Sequence, residues 1–236
     1  MSASFPGPLL SRRRLILGAG AALGAIGCEV HRPRSGLLGR MDALNQHVQM
    51  GLYRRGKTAR TPPAADGTPE GAFPEYHISE EAPLAPAGWL LKVGGLVERP
   101  LLLSLDDLQR MSRTDVRVRH HCVEGWSAVA SWHGVALADI AARAGARPAA
   151  TCVEFRSFDR NYWSSWDRPS AEHAQSILAY GMNGEPLGPG HGAPLRLYSA
   201  VKLGYKMVKY LTEVNFLPRQ TGGYWEDQGY EWFAGV

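Results

Sequence analysis

Glycine and proline interrupt this chain so often that few stretches are long enough for an extended helix. The sequence contains 27 Gly and 16 Pro, and they follow no G-X-Y period, which excludes a collagen-like repeat. Between them lie short β-enriched runs at residues 89–93, 116–120, 152–158, 195–198 and 208–216. Short strands separated by turn residues predict a loop-rich domain built on β-sheets.

Two short helices are predicted among these strands. At residues 104–108, Ser104 is a suitable N-cap and acidic residues occupy the first turn. Residues 135–144 have an apolar helical periodicity, which Gly145 ends. No internal repeat is visible in the 236 residues, and this length is sufficient for one hydrophobic core. We therefore predict one α+β domain of mixed β-sheets with short helices over residues 73–236.

The N-terminal segment has the pattern of an export signal. Three arginines at residues 12–14 precede an uncharged, Gly/Ala-rich apolar stretch that ends at Cys28. The order S-R-R-x-L-I-L over residues 11–17 resembles the twin-arginine type. The stretch is short for a membrane span, and its apolar residues do not alternate with polar ones as in a basic amphipathic helix. We predict a twin-arginine signal peptide over residues 1–28 and an exported, periplasmic protein.

Two outcomes are open at the end of this signal. Residues 25–28, A-I-G-C, partly match a lipobox, so Cys28 is a candidate for a lipid anchor. The alternative is cleavage nearby and release of a soluble protein. Residues 29–72 are rich in Arg, Gly and Pro, with linker composition at residues 61–69 and a helix-like piece at residues 37–53. We predict a flexible linker over residues 29–72.

The basic charge of the chain is concentrated before the predicted domain. The formal net charge is +4, but residues 73–236 contain 16 Lys and Arg against 18 Asp and Glu. A nucleic-acid-binding domain normally has its excess of cations on a folded face. We therefore expect no nucleic-acid partner.

The first chemical motif is H-H-C-V-E-G-W at residues 120–126. Cys122 follows a predicted strand, and a thiolate is a soft ligand for a transition metal. The alternative is a small buried cysteine with no chemical role. His120 and His121 are expected on opposite faces of the strand, so we do not expect one metal to bind both. Thiol redox chemistry with Cys152 would require both cysteines to lie within disulfide distance, which their sequence contexts do not indicate.

A second group of motifs lies further along the chain. N-G-E-P-L at residues 183–187 is followed by H-G-A-P-L-R at 191–196 and G-Y-K-M-V-K at 204–209. Their glycines and prolines permit close approach of a ligand to the backbone. The cations suited to a phosphate are Arg196, Lys206 and Lys209. Taken singly, each of these cations is equally consistent with a solvated surface group.

Together, C-x-E-G-W, N-G-E-P-L, H-G-A-P-L-R and G-Y-K-x-V-K resemble the molybdopterin-binding domain of the sulfite oxidase family, from about residue 73 to 230. That family also includes the periplasmic methionine-sulfoxide reductase catalytic subunits. The resemblance implies a sulfite-oxidase-type fold, a molybdenum-molybdopterin cofactor with a Mo-oxo centre, and an oxidoreductase.

The resemblance also assigns roles to residues by their motif positions. Cys122 takes the place of the family's molybdenum ligand. Tyr230 takes that of a tyrosine beside the metal, where a phenol donates a hydrogen bond or a proton to the transferred oxygen. The alternative for Tyr230 is packing in an aromatic C-terminal tail. The implied cofactor-binding residues are Tyr76, His77, Ser157, His191, Arg196, Met207, Val208 and Lys209.

The chain departs from the sulfite oxidases at two positions. Glu75 stands where they carry an arginine that binds sulfite, and residues 123–125, V-E-G, follow the cysteine where they carry arginines. Acidic groups repel a dianion, unless Arg156, Arg160 or Lys202 supplies the missing charge. We therefore expect reduction of a small neutral S-oxide or N-oxide by oxygen-atom transfer. The alternatives are oxidation of sulfite or a related sulfur compound, and a non-catalytic exported pterin-binding protein.

The sequence contains no haem-attachment motif. We therefore expect electrons to pass to or from a separate partner, either a membrane haem protein or a periplasmic cytochrome. We also expect the protein to be a monomer.

Overall fold

The computed structural model describes residues 36–69 and 71–236, so the arginine motif, the apolar segment and Cys28 lie outside the described residues. Within that part the chain forms four α-helices, ten strands and four single-turn 3-10 helices. The α-helices are α1 (Gly36–Leu52), α2 (Leu105–Gln109), α3 (Leu137–Ala144) and α4 (Arg168–Ala171). The strands are β1 (Leu91–Gly95), β2 (Leu101–Leu103), β3 (Arg113–His121), β4 (Ser127–Ala136), β5 (Cys152–Ser157), β6 (Trp163–Asp167), β7 (Ser176–Met182), β8 (Glu185–Pro186), β9 (Arg196–Ser199) and β10 (Leu211–Leu217). The 3-10 helices are Ala64–Asp66, Pro189–His191, Gly204–Lys206 and Glu226–Gln228.

The first sheet has the strand order β2-β1-β10-β5-β6. Strands β1 and β10 are parallel, and the other neighbours are antiparallel. Phe155 of β5 and Val214 of β10 are paired and fully buried, at the centre of this sheet. A β-bulge interrupts the pairing of β10 with β5 between Leu211 and Glu213.

The second sheet has the strand order β3-β4-β7-β8, and β9 also pairs with β7. All of its pairings are antiparallel. Along β3, Val116, Val118 and His120 are buried, whereas His121 is exposed. This alternation confirms that the adjacent histidines point to opposite faces, because side chains alternate along a strand.

One apolar cluster contains buried residues from both sheets, including the fully buried Trp132 and Trp166. Each large apolar side chain removed from water contributes about 1.5–3 kcal/mol, so this shared cluster holds the two sheets together. The mixed sheets, the short helices and the apolar cluster shared by both sheets confirm the predicted α+β class.

Local sequence signals account for the predicted helices. Ser104 caps α2: its hydroxyl accepts a hydrogen bond from the Asp107 N–H, and the Asp107 side chain accepts one from the Ser104 N–H. Gly145 ends α3 with a left-handed φ of 66°. The sequence did not predict β4 or β7, because their residues are buried on both faces and show little alternation. It also did not predict the short elements β2, β6, β8 and α4.

The segment at residues 36–69 makes several contacts with the domain. The Tyr53 ring, just after α1, contacts the rings of His173 and Phe233. The Val129 N–H donates a hydrogen bond of 2.8 Å to the Thr68 hydroxyl, and the Thr68 N–H donates one of 2.9 Å to the Val129 carbonyl. Among residues 36–69 and 71–236, no helix has both the length and the apolar character needed to cross a membrane.

Candidate active site

A cavity of about 350 Å³ is lined by segments that lie far apart in the sequence. Cys122 follows β3, Ser157 ends β5 and Arg196 begins β9, so strand ends position much of its wall. The predicted site residues that line it are Tyr76, His77, Cys122, Ser157, Arg196, Met207, Lys209 and Tyr230. His191 and Val208 are not among its lining residues.

Cys122 lies in the turn that joins β3 to β4. The Cys122 N–H donates to the Trp126 carbonyl at 3.1 Å, and Gly125 adopts a φ of 89° that permits the turn. The partly exposed Sγ of Cys122 lies 3.8 Å from Glu124 Oε2, which also accepts a 3.0 Å hydrogen bond from Trp126 Nε1. Partial burial raises the pKa of the thiol, the backbone of Glu124 opposes this shift, and the carboxylate of Glu124 adds to it. A bound cation would reverse this effect and favour the thiolate.

The second described cysteine is separate from this turn. Cys152 is buried in a small cluster with Trp232 and Phe233, and both described cysteines are free thiols. Cys152 does not line the cavity. The structure therefore provides no basis for thiol redox chemistry between Cys122 and Cys152.

Two cations line the cavity, Arg196, which is buried, and Lys209, which is partly exposed. Arg196 is 3% exposed, donates a 2.9 Å hydrogen bond to the His191 carbonyl and lies over the Trp132 ring at 4.7 Å. Lys209 Nζ donates 2.6 Å hydrogen bonds to the carbonyls of Tyr76 and Gly190. Burial, and secondarily Arg196, lowers the pKa of Lys209 to about 7. Within the described part of the chain, neither cation forms an ion pair with a carboxylate, so both charges are available to an anion.

His191 lies behind these cations. Its Nε2 is 3.4 Å from Glu75 Oε1, and its Nδ1 is buried without a hydrogen-bond partner in the described structure. Burial lowers the pKa of His191, and Arg196 lowers it further. A Cβ on Gly190 would lie 1.8 Å from a carboxylate oxygen of Glu75, so glycine permits this close approach.

His120 lines the cavity, although the sequence did not identify it as a site residue. It is 6% exposed and its ring is stacked with those of Trp126 and Tyr198. Burial, followed by the charge of Arg196, lowers the pKa of His120 to about 3, so the ring is neutral. Its Nδ1 is buried and has no partner among the described residues. Such an atom normally has a hydrogen-bond partner, which a ligand in the cavity would provide.

The loop before β1 forms another wall. The half-exposed Tyr76 ring stacks on Trp126, with ring centroids 6.3 Å apart. Interaction with Glu124 raises the pKa of Tyr76. His77 Nδ1 is 2.6 Å from the carbonyl of Ser79. The loop is therefore fixed with the Tyr76 carbonyl towards Lys209 and its ring beside the Cys122 turn.

The remaining predicted cofactor-binding positions differ in burial. Ser157 Oγ accepts a 2.8 Å hydrogen bond from the Asp159 N–H at the cavity wall. Met207 is 3% exposed and lines the cavity. The Val208 side chain is fully buried in the core, and the Val208 carbonyl accepts a hydrogen bond from the Leu197 N–H. Any contact from Val208 to a ligand would therefore involve its backbone.

Tyr230 lines the cavity within an aromatic group. Its ring centroid is 5.1 Å from that of Tyr205 and 5.2 Å from that of Trp225. These rings all line the same cavity. Tyr230 therefore packs against other aromatic rings and also lines the cavity. A role in aromatic packing and a role beside the metal are compatible for this residue.

Three of the other candidate cations are paired with carboxylates, and the pairing of Lys206 corrects its assignment to a phosphate site. Lys206 is fully buried and forms an ion pair with Glu226. Lys202 is paired with Asp167 at 3.0 Å. Each cation is balanced locally because an isolated buried charge is costly. Arg156 is likewise paired with Glu154, at 2.7 Å, and Arg156, Arg160 and Lys202 do not line the cavity.

Sequence reasoning missed two other residues of the wall. Asp159 is 3% exposed, and its carboxylate accepts hydrogen bonds from the N–H groups of Ile78 and Ser79. The Tyr162 hydroxyl donates a hydrogen bond to the Tyr205 carbonyl, and burial raises the pKa of Tyr162 well above its ordinary value. Both residues hold loops in place and belong to none of the motifs. The sequence around them therefore indicated a turn but no functional role.

Comparisons with known proteins agree with this arrangement. Residues 78–225 match the family model described as "Oxidoreductase molybdopterin binding domain". The putative protein-methionine-sulfoxide reductase subunit YedZ1 of Azospira oryzae is 35% identical over 234 residues, covering 96% of this chain and 88% of that protein. The protein-methionine-sulfoxide reductase catalytic subunit MsrP of Xanthomonas axonopodis is 35% identical over 154 residues, covering 59% of this chain and 48% of that protein.

A solved structure shows the same fold. The sulfane dehydrogenase SoxCD of Paracoccus pantotrophus superimposes with a TM-score of 0.62 at 23% identity, covering 74% of this chain and 53% of that chain. This match confirms the sulfite-oxidase-type fold that the motifs predict.

The cavity residues fit a molybdenum-molybdopterin cofactor. Cys122 offers one thiol, and the described residues contain no group of three or more His, Cys, Asp or Glu side chains arranged to hold a metal by themselves. A molybdopterin would supply further ligands through its own sulfur atoms. Arg196 and Lys209 are suited to its phosphate, and the unpartnered Nδ1 of His120, which lines the cavity, is suited to a polar ring atom. His191 is not among the lining residues, so its contact with the cofactor stays a prediction. The chain belongs to the sulfite oxidase family and is a molybdenum-dependent oxidoreductase that binds molybdopterin.

Proposed function

We propose that this enzyme reduces a small neutral S-oxide or N-oxide by oxygen-atom transfer. The bound cofactor supplies the exchange of one oxygen atom and two electrons at its metal. For an S-oxide, the substrate, two electrons and two protons give the sulfide and one molecule of water. The electrons come from a separate donor protein.

The charge beside Cys122 carries this proposal. Glu124 Oε2 lies 3.8 Å from the Cys122 thiol, and Glu124 also lines the cavity. A dianion that approaches the thiol would meet this carboxylate, and like charges at such short range repel each other. A neutral oxide has no net charge and avoids this repulsion. The cations that line the cavity, Arg196 and Lys209, are assigned to the cofactor phosphate.

The residues of the chain have separate tasks in this reaction. Cys122 would hold the metal, while Arg196 and Lys209 would hold the phosphate and so fix the position of the cofactor. Tyr76 and Trp126 provide an apolar wall beside the thiol. Tyr230 provides a phenol O–H that can donate a hydrogen bond to the substrate oxygen and polarise its bond to sulfur or nitrogen.

The names of the relatives support both the substrate class and a partner. Two of the matched proteins are named protein-methionine-sulfoxide reductases, and both names include the word subunit. We propose an S-oxide such as methionine sulfoxide as the substrate, and a membrane haem protein or periplasmic cytochrome as the electron donor. We further propose a monomeric catalytic chain.

The test is a comparison of substrates with the molybdenum-loaded enzyme. We expect reductant-linked turnover of methionine sulfoxide, free and within a peptide, or of an N-oxide, to exceed sulfite oxidation with an artificial acceptor. The matched variant Glu124→Gln keeps an acceptor for Trp126 Nε1 but removes the charge. We expect this variant to lower the KM for sulfite without lowering the KM for a neutral oxide. Efficient sulfite oxidation without turnover of any S-oxide or N-oxide would refute the proposed direction.

We also propose export by the twin-arginine route to the periplasm, with residues 1–28 as the signal peptide. The S-R-R-x-L-I-L order and the apolar stretch that follows it support this proposal. Replacing Arg12 and Arg13 by lysine is expected to leave the protein in the cytoplasm. Mass spectrometry of the exported protein would identify its N-terminus and any acyl group on Cys28. Unchanged export of the double variant would contradict the twin-arginine route.

A further inference from the structure

Helix α1 turns its polar face towards the protein and its apolar face outwards. Gln49 Nε2 donates a 2.8 Å hydrogen bond to Glu231 Oε2, and Gln46 is 3.5 Å from Gln220. Tyr53, which continues the same face, packs on Phe233. A helix on a protein surface normally buries its apolar face, so this arrangement is reversed.

The outward face is a continuous apolar stripe. Its residues recur at intervals of three and four, which places them on one side of a helix of 3.6 residues per turn. Leu37 is 73% exposed, Leu44 is 64% exposed and Leu52 is 70% exposed. We call this surface the α1 stripe, and its members are Leu37, Met41, Leu44, Val48 and Leu52.

Basic residues accompany the α1 stripe. Residues 36–60 contain five Lys and Arg residues and one acidic residue. Arg54, Lys57 and Arg60 are exposed beyond the end of the helix, and Arg40 is exposed on the helix itself. Exposed cations beside an apolar helical stripe suit a surface that binds an anionic bilayer.

The position of α1 in the chain also points to a membrane. The helix begins at Gly36, eight residues after Cys28, which ends the uncharged apolar stretch of the proposed export signal. Eight residues span at most about 28 Å, which is less than the thickness of a bilayer with its headgroups. An acyl anchor at Cys28 would therefore hold α1 close to the membrane surface.

We propose that the α1 stripe is a membrane-docking surface that binds the headgroup region of an anionic lipid bilayer. The stripe enters the acyl boundary, the basic residues contact lipid phosphates, and the polar face of α1 holds the catalytic domain through Gln49 and Tyr53. Docking would place the enzyme on the membrane, where a membrane haem protein could supply its electrons. The proposal does not depend on which oxide is the substrate.

The test uses the exported holoprotein and lipid vesicles. We expect it to sediment with vesicles that contain phosphatidylglycerol and phosphatidylethanolamine, and to bind more weakly to vesicles of phosphatidylcholine alone. The variant Leu44→Gln with Val48→Gln is expected to lower the partition coefficient at least about tenfold, because two apolar side chains leave the acyl boundary. The matched control is Leu84→Gln with Leu102→Gln, which alters two exposed leucines outside α1 and is expected to bind normally.

Several outcomes would overturn this proposal. If the α1 variant binds the vesicles as well as the parent does, the N-terminal apolar stretch or an acyl group anchors the protein without α1. A second outcome is that neither the parent protein nor the control variant binds lipid. If the parent protein then forms dimers or binds the donor protein, and the α1 variant does not, the α1 stripe is a protein interface. Oxide reduction with a soluble reductant is measured in parallel. It is expected to be unchanged in both variants, so failure of docking and failure of the proposed activity are distinguishable.

Discussion

The buried ion pair between Lys206 and Glu226 permits a direct test of how the cavity wall is held. Lys206 is fully buried and the Glu226 side chain is 4% exposed. Lys206 Nζ also donates to the Ser165 carbonyl at 2.9 Å, and Glu226 Oε1 accepts a 2.5 Å hydrogen bond from Ser164 Oγ. The pair joins the turn that carries Met207 to the C-terminal segment that carries Trp225.

Lys206→Met is therefore expected to be strongly destabilising. It leaves a carboxylate buried with only the Ser164 hydroxyl as a partner, and breaking such a pair typically costs about 3–5 kcal/mol. For a chain of this size, that loss corresponds to a decrease in Tm of roughly 6–20 °C. Adding Glu226→Gln removes the uncompensated charge, so the double variant is expected to recover part of the lost stability.

Urea unfolding of the apoprotein, followed by circular dichroism, measures these free energies. If the reasoning is correct, the double variant is less destabilised than the sum of the single variants by about 0.5–3 kcal/mol. Lys209→Met is the comparison variant, and it is expected to lower molybdopterin retention with little loss of stability. The reasoning would be refuted if Lys206→Met lost cofactor while the free energy of unfolding of its apoprotein stayed within about 1 kcal/mol of the parent value.

Three further predictions concern the cavity. Cys122→Ser is expected to reduce bound molybdenum to below about a tenth of the parent level, measured by elemental analysis, because a hydroxyl is a poor soft ligand. The Tm of its apoprotein is expected to equal that of the parent apoprotein. Sulfate binding to the apoprotein, measured by calorimetry, is expected to weaken as pH rises through 7, because Lys209, with a pKa of about 7, loses its proton while sulfate stays a dianion. Lys209→Met should abolish this pH dependence. Sulfate affinity of the parent apoprotein that does not change with pH would contradict the prediction. Gly192→Ala is expected to cost about 1–3 kcal/mol in urea unfolding and to lower cofactor retention, since Gly192 has a φ of 102° and the added Cβ would lie 2.8 Å from Lys209 Cβ.

Lys209 also makes the stability of the apoprotein depend on pH. Burial lowers the pKa of Lys209 in the folded state below its unfolded value of 10.5. Between pH 7 and 10.5 the unfolded chain therefore binds more protons at this position than the folded chain does. This group destabilises the apoprotein at low pH, and the penalty falls as pH rises through that window.

Local patterns were enough to predict several parts of this molecule. The alternation along β3, the cap at Ser104 and the stop at Gly145 depend on neighbouring residues, so they can be recognised without the rest of the chain. Four motifs in a fixed order also identified the family, and with it Cys122. These predictions succeeded because each depends on short-range geometry or on a combination of residues that is specific to one cofactor.

Other features depended on contacts between distant segments. Lys206 and Lys209 occupy one motif and have the same chemistry, but Glu226, located twenty residues after Lys206, neutralises only one of them. Similarly, the sequence placed His120 and His121 on opposite faces of a strand but could not show that His120 lines a cavity and has a buried Nδ1 without a partner among the described residues. The reversed orientation of α1 also became visible only when Gln49 was found against Glu231.

The sequence by itself thus determined the fold class, the cofactor family and the residue types available for catalysis. The tertiary structure decided which charges remain available to a ligand and which are neutralised, and which apolar faces lie outwards. The physical reason is that the cost of burying a charge and the gain from burying an apolar group depend on what surrounds them in space. Those surroundings come from strands and loops that are far apart in the chain.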